Sequence, residues 1–250
     1  MKKVFTNRYI LLYAAAVVII VAVLLSLASQ LLRPRQQANI QNETMAYILQ
    51  AAKIPVTTSV EESYNTAITD ELTVDENGKI LTSCRPSQAP ANAQRAFAIN
   101  LKKELENIAA HRPAQLPVFV SRTPNKTIYV IPLAGKGLWG SIWGYLALAE
   151  DGNTVVGAVF NHKSETPGLG AEITSTTFQH QFEGKKIFGE DRTLTSIQVK
   201  KGGVSPSDAD FTHAVDAITG ATITSRGVQQ MLQSTLKVYE PFLKQLHKQE

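Results

Sequence analysis

Asp216-Ala-Ile-Thr-Gly-Ala-Thr-Ile-Thr-Ser225 is the stretch around which the chain is organised. A short apolar run is broken by Thr219-Gly220, where glycine admits backbone angles closed to other residues. Thr222, Thr224 and Ser225 follow, and behind them Val228, Met231, Leu232, Thr235, Leu236 and Tyr239 recur at spacings of three and four. That pattern predicts one face of a helix, which Pro241 ends or bends. The three hydroxyls then stand at a helix N-terminus, where free amides and the dipole favour an anion such as a phosphate. Thr224 or Ser225 acting only as a helix cap fits the same ten residues, and a cap and a phosphate site can share one turn.

Upstream, the sequence reads as alternating sheet and turn. Residues 72–81 predict a hairpin with Asn77-Gly78 as its tight turn. Residues 93–111 predict a helix with Phe97, Leu101, Leu105 and Ile108 on one side, and residues 116–121 and 126–132 two strands. Gly135-Lys-Gly-Leu-Trp-Gly-Ser-Ile-Trp-Gly144 holds four glycines and two tryptophans. It can bring backbone close to a flat ligand, or simply fold its tryptophans onto the core. A strand, the Asp151-Gly-Asn153 turn and a return strand to His162 lead into Glu165-Thr-Pro-Gly-Leu-Gly170. There Pro167 and Gly168 fix a turn that presents Leu169 outward or against a ligand. Residues 171–182 predict a short helix and 193–200 a strand.

The expected fold class is α+β: a mainly antiparallel twisted sheet from strands near 72–82, 126–133, 143–150, 154–162 and 194–200, with flanking helices. In front of it, residues 1–8 carry Lys2, Lys3 and Arg8, and residues 9–32 hold no charge, enough to span a bilayer as a helix. The run is longer than a signal-peptide core and continues into Leu-Leu-Arg-Pro-Arg35, which predicts an uncleaved anchor. The basic N-terminus points to an inside start and an outward-facing domain. Residues 33–43 read as a linker or the helix's exit, and 43–53 as a short amphipathic helix closed by Ile54-Pro55. The net charge of +4 is too small and scattered for nucleic acid. One cysteine, Cys84, excludes an internal disulfide, and five dispersed histidines lack metal-like spacing.

Three stretches in this order, Gly137-Leu-Trp-Gly140, Glu165 to Gly170 and Asp216-x-x-Thr-Gly-Ala-Thr222, resemble the FMN-binding domain family. Behind a single anchor they resemble in particular the C subunits of Na⁺-translocating NADH:quinone oxidoreductases. The resemblance implies covalent FMN, its phosphate esterified to Thr222 by a dedicated flavin transferase. Thr219, Gly220 and Ala221 would shape the turn, and Asp216 would be the position the transferase requires. Trp139, Thr166 and Leu169 would lie beside the isoalloxazine, in loops shaped by Gly140 and Gly168, and Lys201 would neutralise phosphate or reduced flavin. The implied setting is the cell inner membrane, with the domain on the periplasmic side. There it would pass electrons among other subunits of a membrane complex that oxidises NADH, reduces ubiquinone and moves sodium. The implied layout is a cytoplasmic N-terminus at 1–8, a span at 9–32, linker and early domain at 33–125, the flavin domain at 126–240 and a tail at 241–250. The alternatives are the G-type subunit of the related Rnf complex, a membrane-anchored FMN-binding regulatory module, and a structural anchor without flavin.

Overall fold

The computed structural model describes residues 6–89 and 95–246. It divides into two compact units, one up to Glu43 and one from Thr44 onward. Helix α1, Asn7–Ala51, is continuous, where the sequence suggests a span, a polar exit and a separate short helix. An 18-residue window within α1 has mean hydropathy 3.0 with none of it buried, long and apolar enough to cross a membrane. Polar side chains in residues 33–43 are compatible with an exposed helix, and Pro34 is accommodated inside it.

In the second unit, Met45, Ile48, Leu49 and Ala51 at the end of α1 are buried. Helix α2, Val60–Ala67, begins where Ser59 Oγ accepts from Glu62 N at 3.1 Å, an N-cap in a stretch without hydrophobic period. Strands β1, Asp70–Val74, and β2, Ile80–Cys84, form the expected hairpin, but around a longer loop. Asp75 Oδ1 accepts from the amides of Asn77 and Lys79, and Gly78 adopts φ +81°. Helix α3, Leu101–Ala109, is capped by Asn100 and is shorter than the sequence suggests, because residues 96–98 form a separate 3₁₀ turn. The first residues of that expected helix, Ala93 and Gln94, lie outside the described residues.

Strands β3, Leu116–Thr123, β4, Lys126–Lys136, β5, Ser141–Ala149, and β6, Val155–His162, complete a six-stranded sheet in the order β2-β1-β3-β4-β5-β6, antiparallel throughout. Residues 170–174 form a 3₁₀ turn, and α4, Thr176–His180, is a short helix capped by Ser175. The last expected sheet strand is corrected here. Only Gln198–Lys200 is extended (β7), and it pairs in parallel with β8, Ala214–Asp216, in a separate two-stranded sheet. Ser196, at φ +60°, turns the chain before it can extend further back.

Alternation along the strands feeds two cores, one on each face of the sheet. Val118, Ile131, Leu133 and Leu146 join one side with Val228, Leu232, Leu236 and Tyr239 of α5, Thr222–Leu246. Phe119, Val130, Ala147 and Val159 join the other with Ile48, Leu49 and Tyr64. Every position on the expected face of α5 is buried. At roughly 1.5–3 kcal/mol for each large apolar side chain, that face is enough to seat the helix. It holds α5 continuous through Pro241, and Gly78 of the first hairpin packs against the helix there, where an added Cβ would lie 2.5 Å from Phe242 N.

Candidate functional site

Three loops meet at the N-terminus of α5. The first is Gly137–Gly140 between β4 and β5, closed by Gly137 N donating to Gly140 O at 2.8 Å. The second follows β6: Leu169 N donates to Thr166 O at 3.1 Å and Gly168 takes φ +73°, the arrangement of a type II turn over Pro167-Gly168. The third is the turn into α5, where Ala221 N donates to Ile218 O and Gly220 takes φ +79°. A Cβ on Gly220 would lie 2.9 Å from Leu169 Cδ2, so the second and third loops touch there.

Together they enclose a cleft of about 430 Å³ whose walls include Leu138, Trp139, Glu165, Thr166, Leu169, Gly220, Ala221, Thr222, Ile223 and Thr224. Thr222 is the first residue of α5 and is exposed on this wall. The amides of the first helical turn have no intrahelical acceptor and favour an anion beside it. Trp139 is 66% exposed and Ile223 58%, with Leu138 and Leu169 also exposed, so the rim presents apolar surface rather than burying it. The tryptophan of this loop is thus at the cleft and not folded onto the core. Thr224 and Ser225 are not simple caps. Thr224 Oγ1 donates to Glu165 Oε2 at 2.6 Å, and Ser225 Oγ accepts from Ile218 N at 3.1 Å, tying the helix to the residues before it.

The other expected residues are distributed as follows. Gly140 belongs to the first loop and faces Ser164, where a Cβ would meet Oγ at 2.5 Å, but it does not line the cleft. Thr219 is exposed beside it. Asp216 ends β8 and faces a neighbouring cavity of about 290 Å³, with Gln181, Lys185 and Phe211. Its Oδ1 is buried with no hydrogen-bond partner among the described residues. Lys185 in that cavity donates to Phe211 O at 2.6 Å; burial pushes its pKa down, with the Asp216 charge opposing. Lys201 is exposed on the turn after β7 and is not part of the cleft wall. A slightly larger cavity, about 500 Å³ among Lys186, Arg192 and His213, contains none of the three motifs. Among the described residues no group of three or more His, Cys, Asp or Glu side chains could hold a metal ion.

Glu165 stands in the second motif without a role readable from sequence, and the structure puts it at the centre. Its carboxylate also accepts from Trp139 N at 2.8 Å, and it is 4% exposed. Its signal in the sequence is faint: an acidic residue between a strand end and a Pro-Gly turn, in a chain whose glycines crowd the neighbouring stretches.

A flat apolar group with a phosphate tail fits this cleft: an exposed indole and two leucines for the ring, and a helix N-terminus with a hydroxyl for the phosphate. Residues 137–237, which hold all three loops and the start of α5, match the FMN-binding domain family. The chain is 30% identical over 232 residues to the Na⁺-translocating NADH-quinone reductase C subunit of Vibrio alginolyticus, covering 90% of this chain and 89% of that protein. It is 32% identical to the same subunit of Vibrio anguillarum, covering 86% and 84%. A crystal structure of the C subunit from Parabacteroides distasonis superposes with a TM-score of 0.71 at 37% identity, over 85% of this chain and 96% of that one. Shewanella oneidensis NqrC gives 0.66 at 27%, over 84% and 99%. The chain belongs to the family of C subunits of the Na⁺-translocating NADH-quinone reductase.

Proposed function

We propose that this chain is the membrane-anchored flavoprotein subunit of a Na⁺-translocating NADH:quinone oxidoreductase, with FMN joined through a phosphoester to Thr222. The observation that carries the reading is the position of Thr222: an exposed hydroxyl at the first residue of α5, opening onto a cleft rimmed by Trp139, Leu138 and Leu169. Likeness to C subunits over 90% of the chain supports this reading over the G-type subunit of the Rnf complex.

In this account the flavin transferase takes FMN from FAD. The Thr222 Oγ–P bond forms as the FAD diphosphate P–O bond breaks, the hydroxyl proton is lost and AMP leaves. Thr222 would anchor the phosphate, the free α5 amides would hydrogen-bond it, and Trp139, Thr166 and Leu169 would hold the ring, in loops shaped by Gly140, Gly168, Gly220 and Ala221. Asp216, outside the cleft, serves recognition by the transferase rather than holding the flavin, and Lys201 offers its charge only at longer range. The bound FMN supplies one-electron transfer between neighbouring redox centres of the complex. Residues 9–32 form the span, with 1–8 cytoplasmic. Residues 33–125, the flavin domain at 126–240 and the tail at 241–250 lie on the periplasmic side of the inner membrane. A covalent link suits a domain that no cytoplasmic FMN pool can refill.

The test is in-gel ultraviolet fluorescence of the denatured chain, made in membranes with an active transferase. The wild-type band fluoresces and Thr222→Ala is dark. A dark wild-type band, or a fluorescent Thr222→Ala band, contradicts the assignment.

A further inference from the structure

The three motif loops share one buried side chain. Glu165 Oε1 accepts from Trp139 N at 2.8 Å in the first loop, and Oε2 accepts from Thr224 Oγ1 at 2.6 Å in the first turn of α5. Its own amide donates to His162 Nδ1 at 3.1 Å, fixing the second loop to the end of β6. Two glycines make room for it. A Cβ on Gly137 would lie 2.5 Å from Oε1, and one on Gly170 2.5 Å from Oε2 and 2.6 Å from Thr224 Oγ1. Side chains at either position would expel the carboxylate from its seat.

Both oxygens are engaged, one by Trp139 N and one by the Thr224 hydroxyl. Both donors to the carboxylate are neutral, and Glu165 makes no ion pair among the described residues. Among the described residues, no cation stands against this carboxylate to cancel a negative charge on it. The carboxylate lies in the cleft wall beside Trp139, Thr166 and Leu169, sheltered from water.

We infer that Glu165 is the positioning residue of the cleft and that its uncancelled negative charge sets the reduction potential of the group held there. This rests on the flavin reading above. The carboxylate holds the Trp139 loop and the start of α5 at a fixed separation. Reduction adds negative charge to the occupant, and a fixed negative charge in a low-dielectric wall opposes it. The site is thereby biased toward donating electrons.

Two substitutions with opposite expected signs test this. Glu165→Gln keeps the shape and an acceptor for Trp139 N while removing the charge. Thr224→Val keeps the charge and removes the hydroxyl that stabilises it. Both are made in the full-length chain, in membranes with an active transferase, and read by intact mass and by spectroelectrochemical titration. The expected result is covalent FMN in all three proteins. The one-electron midpoint should rise in Glu165→Gln by about tenfold in equilibrium constant, roughly 59 mV, and fall in Thr224→Val. Midpoints that coincide with wild type to within about twofold in both variants, or that move the same way in both, overturn the inference, since a purely structural role has no reason to give opposite signs. If Glu165→Gln does not accumulate, an unchanged or raised midpoint in Thr224→Val overturns it alone. Absence of FMN from the wild type is a different outcome: it overturns the flavin reading itself.

Discussion

Two buried glutamates behave in opposite ways. Glu71, on β1, has a fully buried side chain and four donors: Tyr64 Oη at 2.8 Å, Ala96 N at 2.9 Å, and Arg95 through both Nε and Nη2. The guanidinium cancels its charge, and it faces the core that joins α2 to the sheet. Glu165 has neutral donors and lines a cleft. Proteins tolerate buried carboxylates when they are paired with a cation, because desolvation is otherwise costly. A buried carboxyl satisfied by neutral hydrogen bonds alone has no partner to cancel a charge, and a charge there matters most where something charged comes and goes. Glu71 holds the fold together, and Glu165 holds a site together.

The largest effect that would sharpen the contrast comes from Arg95→Ala. It strands the Glu71 charge in the core and should lower stability by about 3–5 kcal/mol, seen as an earlier denaturant midpoint, while flavin content per folded molecule stays at the wild-type level. Flavin loss in proportion to the folded fraction agrees; loss beyond it would make Glu71 part of the site. Gly170→Ala should do the reverse. Its cost in overpacking is smaller, about 1–3 kcal/mol, but displacement of Glu165 and Thr224 should reduce covalent flavin in the surviving protein, read by absorbance per mole of chain.

Tyr64→Phe comes next, at about 1 kcal/mol for a buried hydrogen bond whose acceptor keeps its other donors. It also carries a pH signature. Burial, reinforced by the Glu71 charge, raises the Tyr64 pKa well above its usual range. The folded state therefore holds this proton more tightly than the unfolded chain. The stabilisation is complete below the unfolded value of about 10 and is lost as pH rises through the folded value. Unfolding titrations on both sides of that window should show a shallower alkaline decline in the phenylalanine variant. Tyr239, whose pKa burial also raises and whose hydroxyl donates to Pro117 O, remains to give both proteins a residual slope. The smallest effect should follow Lys244→Ala. Its ion pair with Glu240 is an exposed i,i+4 contact, worth about 0.3–0.5 kcal/mol, and unfolding curves should nearly overlay.

What the sequence discloses follows from how local each feature is. The α5 face is legible because its period is set within one helix, and the central hairpins because their turns are written in Asp, Asn and Gly. The continuity of α1 is not, since polar residues in 33–43 are equally compatible with a linker. The β7–β8 pair escapes because each strand is three residues long and its partner lies across a polar loop. Of the candidate site, the glycine-rich loops with Trp139 and Leu169 and the hydroxyls at the start of α5 stand out by pattern. Thr166 and the choice of Thr222 among those hydroxyls come only from the family resemblance, and the structure brings all four residues to one cleft. Asp216 and Lys201 lie off that wall, although Asp216 is only six residues from Thr222 in sequence. Glu165 cannot be singled out, because its role depends on donors 26 and 59 residues away.

The central claim is the bond at Thr222, and peptide mass spectrometry addresses it most directly. Trypsin should release residues 202–226, between Lys201 and Arg226. In protein matured with an active transferase, this peptide should gain the mass of one FMN less one water, with fragmentation placing the gain on Thr222 and not on Thr219, Thr224 or Ser225. An unmodified peptide, or the added mass on another residue, contradicts the account.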